Sequence, residues 1–311
     1  MPTISVVVET DQGHEEASIG LPDMLSRLRS QTHPSTDMEV IVVAHPNVRE
    51  VGRVVASTYP AARIVTSNRS DYYGMKNAGA SEATGRIIAF LDSDCLPKPD
   101  WTSRVIHSLD GGAEAVAGPA EYPPTVPFRR LAQYCDFGHV FANPQGGATG
   151  LLASNFALHR DVWERSGGFD TRVRRSGGCS LLYRRLSASG HRISFDQGQA
   201  VTHNPKGPRV AFEQRLRYGY DAIQTARLDE TGKSSGLCLD RRRGLLAPFR
   251  IYLQRTLHDL RVLSGRPRAY DIRPWELPGF AAGVIAMRTL EVAGAMATIV
   301  RQDAIERRFG W

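Results

Sequence analysis

Cysteine is scarce and scattered. Cys95, Cys135, Cys179 and Cys238 are the only four in 311 residues, with no Cys-x-x-Cys spacing and no histidine cluster beside them. That argues against a zinc site or a disulfide framework and for reduced thiols in a cytosolic setting. Long apolar runs are missing too. The N-terminus offers only residues 4–8, with no basic stretch before them, which reads as a first strand and not a signal peptide. Residues 277–300 are mostly small and apolar, but Arg288 and Glu291 interrupt them after eleven uncharged residues. A spanning helix wants about 20 apolar residues, so insertion is not expected. No internal repeat, low-complexity tract or nucleic-acid-binding motif is visible, and a nucleic-acid partner is not expected. Residues 144–150 are rich in glycine but lack P-loop spacing, so they read as a mobile connector or lid.

What is present is an ordinary globular composition, 41% hydrophobic and 23% charged, on a chain long enough to bury a sizeable core. The net charge of +7 is unevenly spread. Residues 206–273 hold fifteen basic and seven acidic side chains, so the basic excess belongs to the C-terminal third. Such a patch suits an anionic lipid surface or a phosphorylated substrate.

Apolar runs at residues 4–8, 39–43 and 87–91 read as buried strands, and 63–66 as a shorter one. Between them, residues 21–31, 48–58 and 73–83 carry helical spacing, and 99–109 follows as another helix. Strand, helix and strand of these lengths make parallel crossover units, so the first half is an alternating, doubly wound α/β domain. Farther on, strands are expected at 113–117, 151–159, 192–195 and 200–203, and helices at 128–141, 160–165, 180–189, 209–228 and 245–263. The strand at 87–91 runs into Asp92-Ser93-Asp94. Two carboxylates two residues apart in extended chain point to one side. At the carboxyl end of a buried strand they could hold Mg²⁺ or Mn²⁺, with a substrate diphosphate adding oxygens.

Several short pieces stand together: Gly74-Met-Lys-Asn-Ala-Gly79, Phe90-Leu-Asp-Ser-Asp94 with Pro99-Asp-Trp101, Ser154-Asn-Phe-Ala157, Gly167-Gly-Phe-Asp170, Arg185-Leu186, Val201-Thr-His203 and Arg217-Tyr-Gly219. In this order they resemble the family 2 glycosyltransferases, over residues 4 to about 220. The resemblance implies an α/β fold with a doubly wound mixed, mainly parallel sheet of the A type, followed by a C-terminal helical extension. The expected division is a nucleotide-sugar-binding catalytic domain at 1–206 and a basic, apolar helical extension at 207–311. It also implies inverting transfer from a nucleotide sugar, UDP-linked by preference, with Mn²⁺ or Mg²⁺ held by Asp92, Asp94 and His203. Gly74, Asn77, Asp92 and Ser93 would line the donor side. The acceptor would be a polysaccharide, a lipid-linked glycan or another small molecule.

The chain departs from the family pattern in three places. After the first strand it has Glu9-Thr10 for the usual Pro-Thr, and both are candidates to touch the nucleoside. After the second it has Val43-Ala-His-Pro46 where an aspartate usually meets the base. Most consequentially, Gly178 and Cys179 occupy the Glu-Asp positions whose aspartate takes the acceptor's proton. Asp136 and Asp170 are weak substitutes, with His139 and Glu121 behind them. A retained metal site with no base also fits a weakened relative that binds nucleotide and regulates a partner. In the tail, Arg288 and Glu291 are expected to pair on one helix face. With Arg241–Arg243, Arg250, Arg255, Arg261, Arg266 and Arg268 they suggest helices resting on the inner face of the cell membrane, or equally packed on the catalytic domain or in a homodimer.

Overall fold

The computed structural model describes residues 2–10, 20–46, 50–69, 71–126, 128–204, 208–228, 244–265 and 270–309. Arg241–Arg243, Arg266, Arg268, Cys238 and the first two residues of the helix expected at 48–58 lie outside that set. The chain forms two compact units. One comprises Met1–Val126, Val140–Thr171 and Cys179–Pro205; the other comprises Pro127–His139, Arg172–Gly178 and Lys206–Trp311.

The first unit is built on β1 (Ile4–Glu9), β2 (Met38–Ala44), β3 (Arg63–Thr66), β4 (Ile87–Asp92), β6 (Ala115–Ala117), β8 (Asn155–His159) and β9 (Ile193–Phe195). Their order across the sheet is β3-β2-β1-β4-β8-β6-β9, with β8 antiparallel to both neighbours and the remaining pairs parallel. β1 and β4 are buried along their whole length, as unbroken apolar runs require. The apolar faces of α1 (Leu21–Arg29), α2 (Glu50–Thr58) and α4 (Trp101–Asp110) are buried at the periodic positions the sequence marks. α3 (Tyr72–Ser81), α6 (Arg160–Ser166) and α7 (Gly178–Ala188) complete the helices numbered along this part of the chain.

A second sheet was not foreseen. β5 (Cys95–Pro97), β10 (Val201–His203) and β7 (Ala120–Glu121) stand in the order β5-β10-β7. Its strands have two or three residues each, too few to display alternation. The strand expected at 151–159 begins only at Asn155, a buried hub that receives Trp101 Nε1 at 2.8 Å and donates to Pro119 O and Gln199 O.

The second unit is helical, with α5 (Arg129–Phe137), α8 (Pro208–Leu228), α9 (Ala247–Gly265) and α10 (Leu277–Phe309). α8 and α10 cross backbone to backbone. A Cβ on Gly219 would overlap Glu291 O, and one on Gly294 would overlap Leu216 O. Pro274–Phe309 has the length a span requires and holds an 18-residue window of mean hydropathy 1.5. Two of its charges, Arg288 and Glu291, nevertheless point inward. Arg288 reaches Asp259 at 2.7 Å and Glu291 at 2.7 Å, while Arg255 and Arg215 approach Glu291 at 3.3 and 3.4 Å. Arg215 also pairs with Asp136. α10 is thus fastened to this unit by ion pairs at Arg288 and Glu291.

Candidate active site

Three strand ends lie level: Glu9 of β1 faces Val43 of β2 on one side and Asp92 of β4 on the other. Glu9 and Thr10 are buried here, Ser93 N donates to Glu9 O at 3.0 Å, and Thr10 Oγ1 donates to Val43 O at 2.9 Å. These bonds end β1 and β2 together and fix where the Asp92-Ser93-Asp94 turn starts. Gly20 packs against that turn so closely that a Cβ would stand 2.8 Å from Ser93 O and 3.0 Å from Asp94 Cα.

Asp92 is already engaged. Asp71 caps α3 by accepting Gly74 N at 2.6 Å, and Tyr72 and Lys76, one helical turn apart, both face the end of β4. Tyr72 Oη donates to the two Asp92 oxygens at 2.8 and 2.9 Å. Lys76 Nζ, fully buried, donates to Asp92 Oδ1 at 2.6 Å and to Leu91 O at 3.0 Å. An ammonium therefore balances the first carboxylate inside the fold. The sequence reading missed both residues, although their four-residue spacing was visible.

Asp94 stands beside the small sheet. The ladder between β5 and β10 sets His203 opposite Cys95, and Asn204 N donates to Asp94 O at 2.8 Å. His203 Nδ1 lies 3.0 Å from Asn204 O. A carbonyl can only accept, so this nitrogen carries the proton, and in the neutral ring Nε2 is left as a lone-pair donor. That atom is 3.7 Å from Asp94 Oδ1. The separation falls within the roughly 4.2 Å that two bonds of about 2.1 Å to one ion can span. Ligand atoms of Asp92, Asp94, Cys95 and His203 all lie within 4.8 Å of one another. The donor set fits a divalent cation. Cys95 is the unforeseen member, its thiol pushed well up first by burial and then by Asp94 and Asp92.

The remaining candidates take other places. Gly74 leaves room for the Asp71 cap and the Arg69 side chain, since a Cβ would sit 2.5 Å from Asp71 Oδ2 and 2.5 Å from Arg69 Nε. Asn77 clamps the Gly167–Asp170 turn, donating to Phe169 O at 2.9 Å and accepting Phe169 N at 3.0 Å. Asp170 directly follows that clamp. Asp136 belongs to the helical unit, ion-paired with Arg215. His139 belongs to the same unit. Glu121 pairs across the small sheet with Thr202. Gly178 opens α7, and Cys179 Sγ lies 3.8 Å from Tyr73 Oη. Burial pushes the Cys179 thiol up to about 11, which disqualifies it as a base near neutrality.

Residues 16–166 match the sequence model of Glycosyl transferase family 2. The chain carries a family 2 glycosyltransferase domain and is a glycosyltransferase. It is 25% identical over 235 residues to Glycosyltransferase AglE of Haloferax volcanii, covering 74% of this chain and 76% of that protein. It is 23% identical over 195 residues to the glucosyl-dolichyl phosphate glucuronosyltransferase of the same organism, covering 57% and 62%. Among solved structures it is similar to the mannosyltransferase PcManGT from Pyrobaculum calidifontis in complex with GDP-Man and Mn²⁺. That likeness has a TM-score of 0.62 at 18% identity, over 96% of this chain and 87% of the other. The S. aureus TarS 1–349 complex with UDP follows, with a TM-score of 0.52 at 12% identity, over 100% and 92%. At these identities the structural likenesses bear on fold, and they agree with the A-type architecture expected above.

Proposed function

We propose that the enzyme is a metal-dependent, inverting glycosyltransferase passing a sugar from a nucleoside diphosphate to a lipid-linked or other glycan acceptor. The observation that carries this reading is the convergence of Asp94 and His203, with Asp92 beside them, at the ends of β4 and β10. The GDP-Man, Mn²⁺ and UDP bound by the two similar structures support a nucleotide sugar and a divalent ion. The dolichyl phosphate in one relative's name supports a lipid-linked acceptor. We place the enzyme at the cytoplasmic face of a membrane, and a UDP-sugar is our first choice of donor.

Asp94 and His203 would hold Mn²⁺ or Mg²⁺, which would neutralise charge gathering on the leaving diphosphate. Tyr72 and Lys76 fix the Asp92 carboxylate, and the Glu9–Thr10 end of β1, beside it, would border the nucleoside. In transfer, an acceptor oxygen bonds to the anomeric carbon as its bond to the diphosphate oxygen breaks, with inversion. The acceptor's proton must leave without help from Cys179. General-base catalysis contributes on the order of 10²–10⁴-fold, so turnover is expected to be slow. The Gly178 and Cys179 positions also favour a second reading, a transferase fold kept for nucleotide binding and regulation.

Thermal shifts with UDP and GDP, each with and without Mn²⁺, test the first step. Nucleotide stabilisation that needs the metal and vanishes in Asp94→Ala, with turnover of a screened nucleotide sugar, upholds the proposal. Metal-dependent stabilisation without turnover selects the second reading. Absence of nucleotide binding removes both.

A further inference from the structure

Exposed apolar side chains are concentrated in one place. Of the ten large hydrophobic residues exposed among the described residues, nine belong to the helical unit and only Ile64 to the α/β unit. The two most exposed are aromatic, Phe128 at 85% and Trp275 at 72%. They are 147 positions apart in sequence, yet Arg130 ties their segments together, bonding Glu276 at 2.5 Å and also Asp271 O. Phe128 has φ +51°, a left-handed conformation that side chains other than glycine rarely adopt. The Arg273 guanidinium lies over the Trp275 ring, 5.4 Å from its centroid. An aromatic pair facing water, flanked by arginines, has no part in the catalytic reading above.

α9 presents a second surface of the same kind. At 100° per residue, Phe249, Leu253 and Leu257 fall within about 80° of arc, and Arg250 and Arg261 lie within about 40° beyond it. All five are exposed. The single acidic residue of α9, Asp259, is buried and paired with Arg288. The outward side is therefore apolar and cationic with no acid. That combination complements one surface in particular: an anionic bilayer, where apolar groups enter the acyl boundary and guanidinium groups meet phosphates. A soluble acidic partner would match the arginines and leave the leucines and aromatic rings in water.

We infer that the helical unit is an interfacial anchor for anionic lipid, with Phe128 and Trp275 as aromatic pegs and the Phe249, Leu253 and Leu257 stripe as its apolar face. It lies flat on the membrane and does not span it, because Arg288 and Glu291, the charges in the most apolar stretch of α10, are paired inside the unit. The inference deepens the placement at a membrane and is independent of the donor chemistry.

Flotation of the full chain with vesicles of phosphatidylglycerol and phosphatidylcholine, against phosphatidylcholine alone, provides the test. The anionic vesicles should retain the protein at least tenfold better, and Trp fluorescence should shift to the blue on binding. Trp275→Phe should remove that shift, while a Phe249→Gln, Leu253→Gln, Leu257→Gln triple variant and an Arg250→Glu, Arg261→Glu variant should each lose at least tenfold in retention. Nucleotide-dependent stabilisation is read on the same proteins, so loss of flotation with that response intact isolates the anchor. A wild type that ignores nucleotide but still floats strikes only the transferase reading. The inference is overturned if the variants float as the wild type does. It is equally overturned if no vesicle binds and light scattering shows a dimer that the apolar variants convert to monomer, which would assign the face to a second copy.

Discussion

At the scale of single residues, Asp92 shows how a motif can be legible and its working not. The Asp-x-Asp spacing at a strand end was plain, and it places both carboxylates in one cluster. That the first is matched by Lys76 and Tyr72 depended on how α3 lies against β4, which no local pattern states. Lys76→Met would leave a buried carboxylate without its counter-charge, a change costing about 3–5 kcal/mol, readable as a lower melting temperature by calorimetry. Lys76→Arg should not restore the wild-type value, since the fully buried site has no space for a larger planar group. Gly20→Ala would push on Ser93 O and Asp94 Cα, and isothermal titration should then show Mn²⁺ affinity in the presence of nucleotide reduced about tenfold, some 1.4 kcal/mol. Cys179→Asp puts a carboxylate where the thiol stays protonated and should raise kcat by about 10²-fold if proton removal limits turnover.

Among elements, long and periodic segments were readable and short ones were not. β1, β2 and β4 and the apolar faces of α1, α2 and α4 follow from runs and spacing. The pairing of β5 with β10 joins residues more than a hundred positions apart and decides where His203 stands, yet three-residue strands carry too little pattern to announce a partner. The place of Asn77 in a motif suggested a ligand contact, and the structure shows its amide bonded to the Phe169 backbone. Close crossing of α8 and α10 makes Gly294 sensitive, and Gly294→Ala should destabilise the protein by about 1–3 kcal/mol in urea titration through forced separation of the two helices. The hydrogen bond from Arg130, with Arg273 N, holds Glu276 down to about 2 against an ordinary 4.5. A lowered carboxyl stabilises the fold above its unfolded value and loses that effect as pH falls, so Glu276→Gln should flatten part of the melting-temperature decline between about pH 4.5 and 2.

For the molecule as a whole, the uneven charge was a sound guide, since the basic third of the chain is largely the helical unit. Its extent was not readable, because segments 127–139 and 172–178 sit inside the α/β sequence but cluster with the distant helices. Asp221 explains one of these recruitments. Its carboxylate accepts the backbone N–H groups of Arg174, Arg175 and Ser176 at 2.7, 2.8 and 2.7 Å, fastening that segment to α8. Asp221→Ala should therefore increase hydrogen exchange at residues 174–176 ahead of any change in β1 or β4, measured by mass spectrometry.

On the proposed function, the internal ammonium on Asp92 would also govern the order in which ion and donor bind. With one carboxylate spoken for, an ion arriving alone would meet weaker attraction, whereas a pyrophosphate would add oxygen ligands and negative charge. On the proposed function the ion would then be a passenger of the donor rather than a resident of the apoenzyme. Chelation should leave the unliganded protein's melting point untouched while erasing the stabilisation given by a nucleoside diphosphate, and product departure should carry the ion away with it.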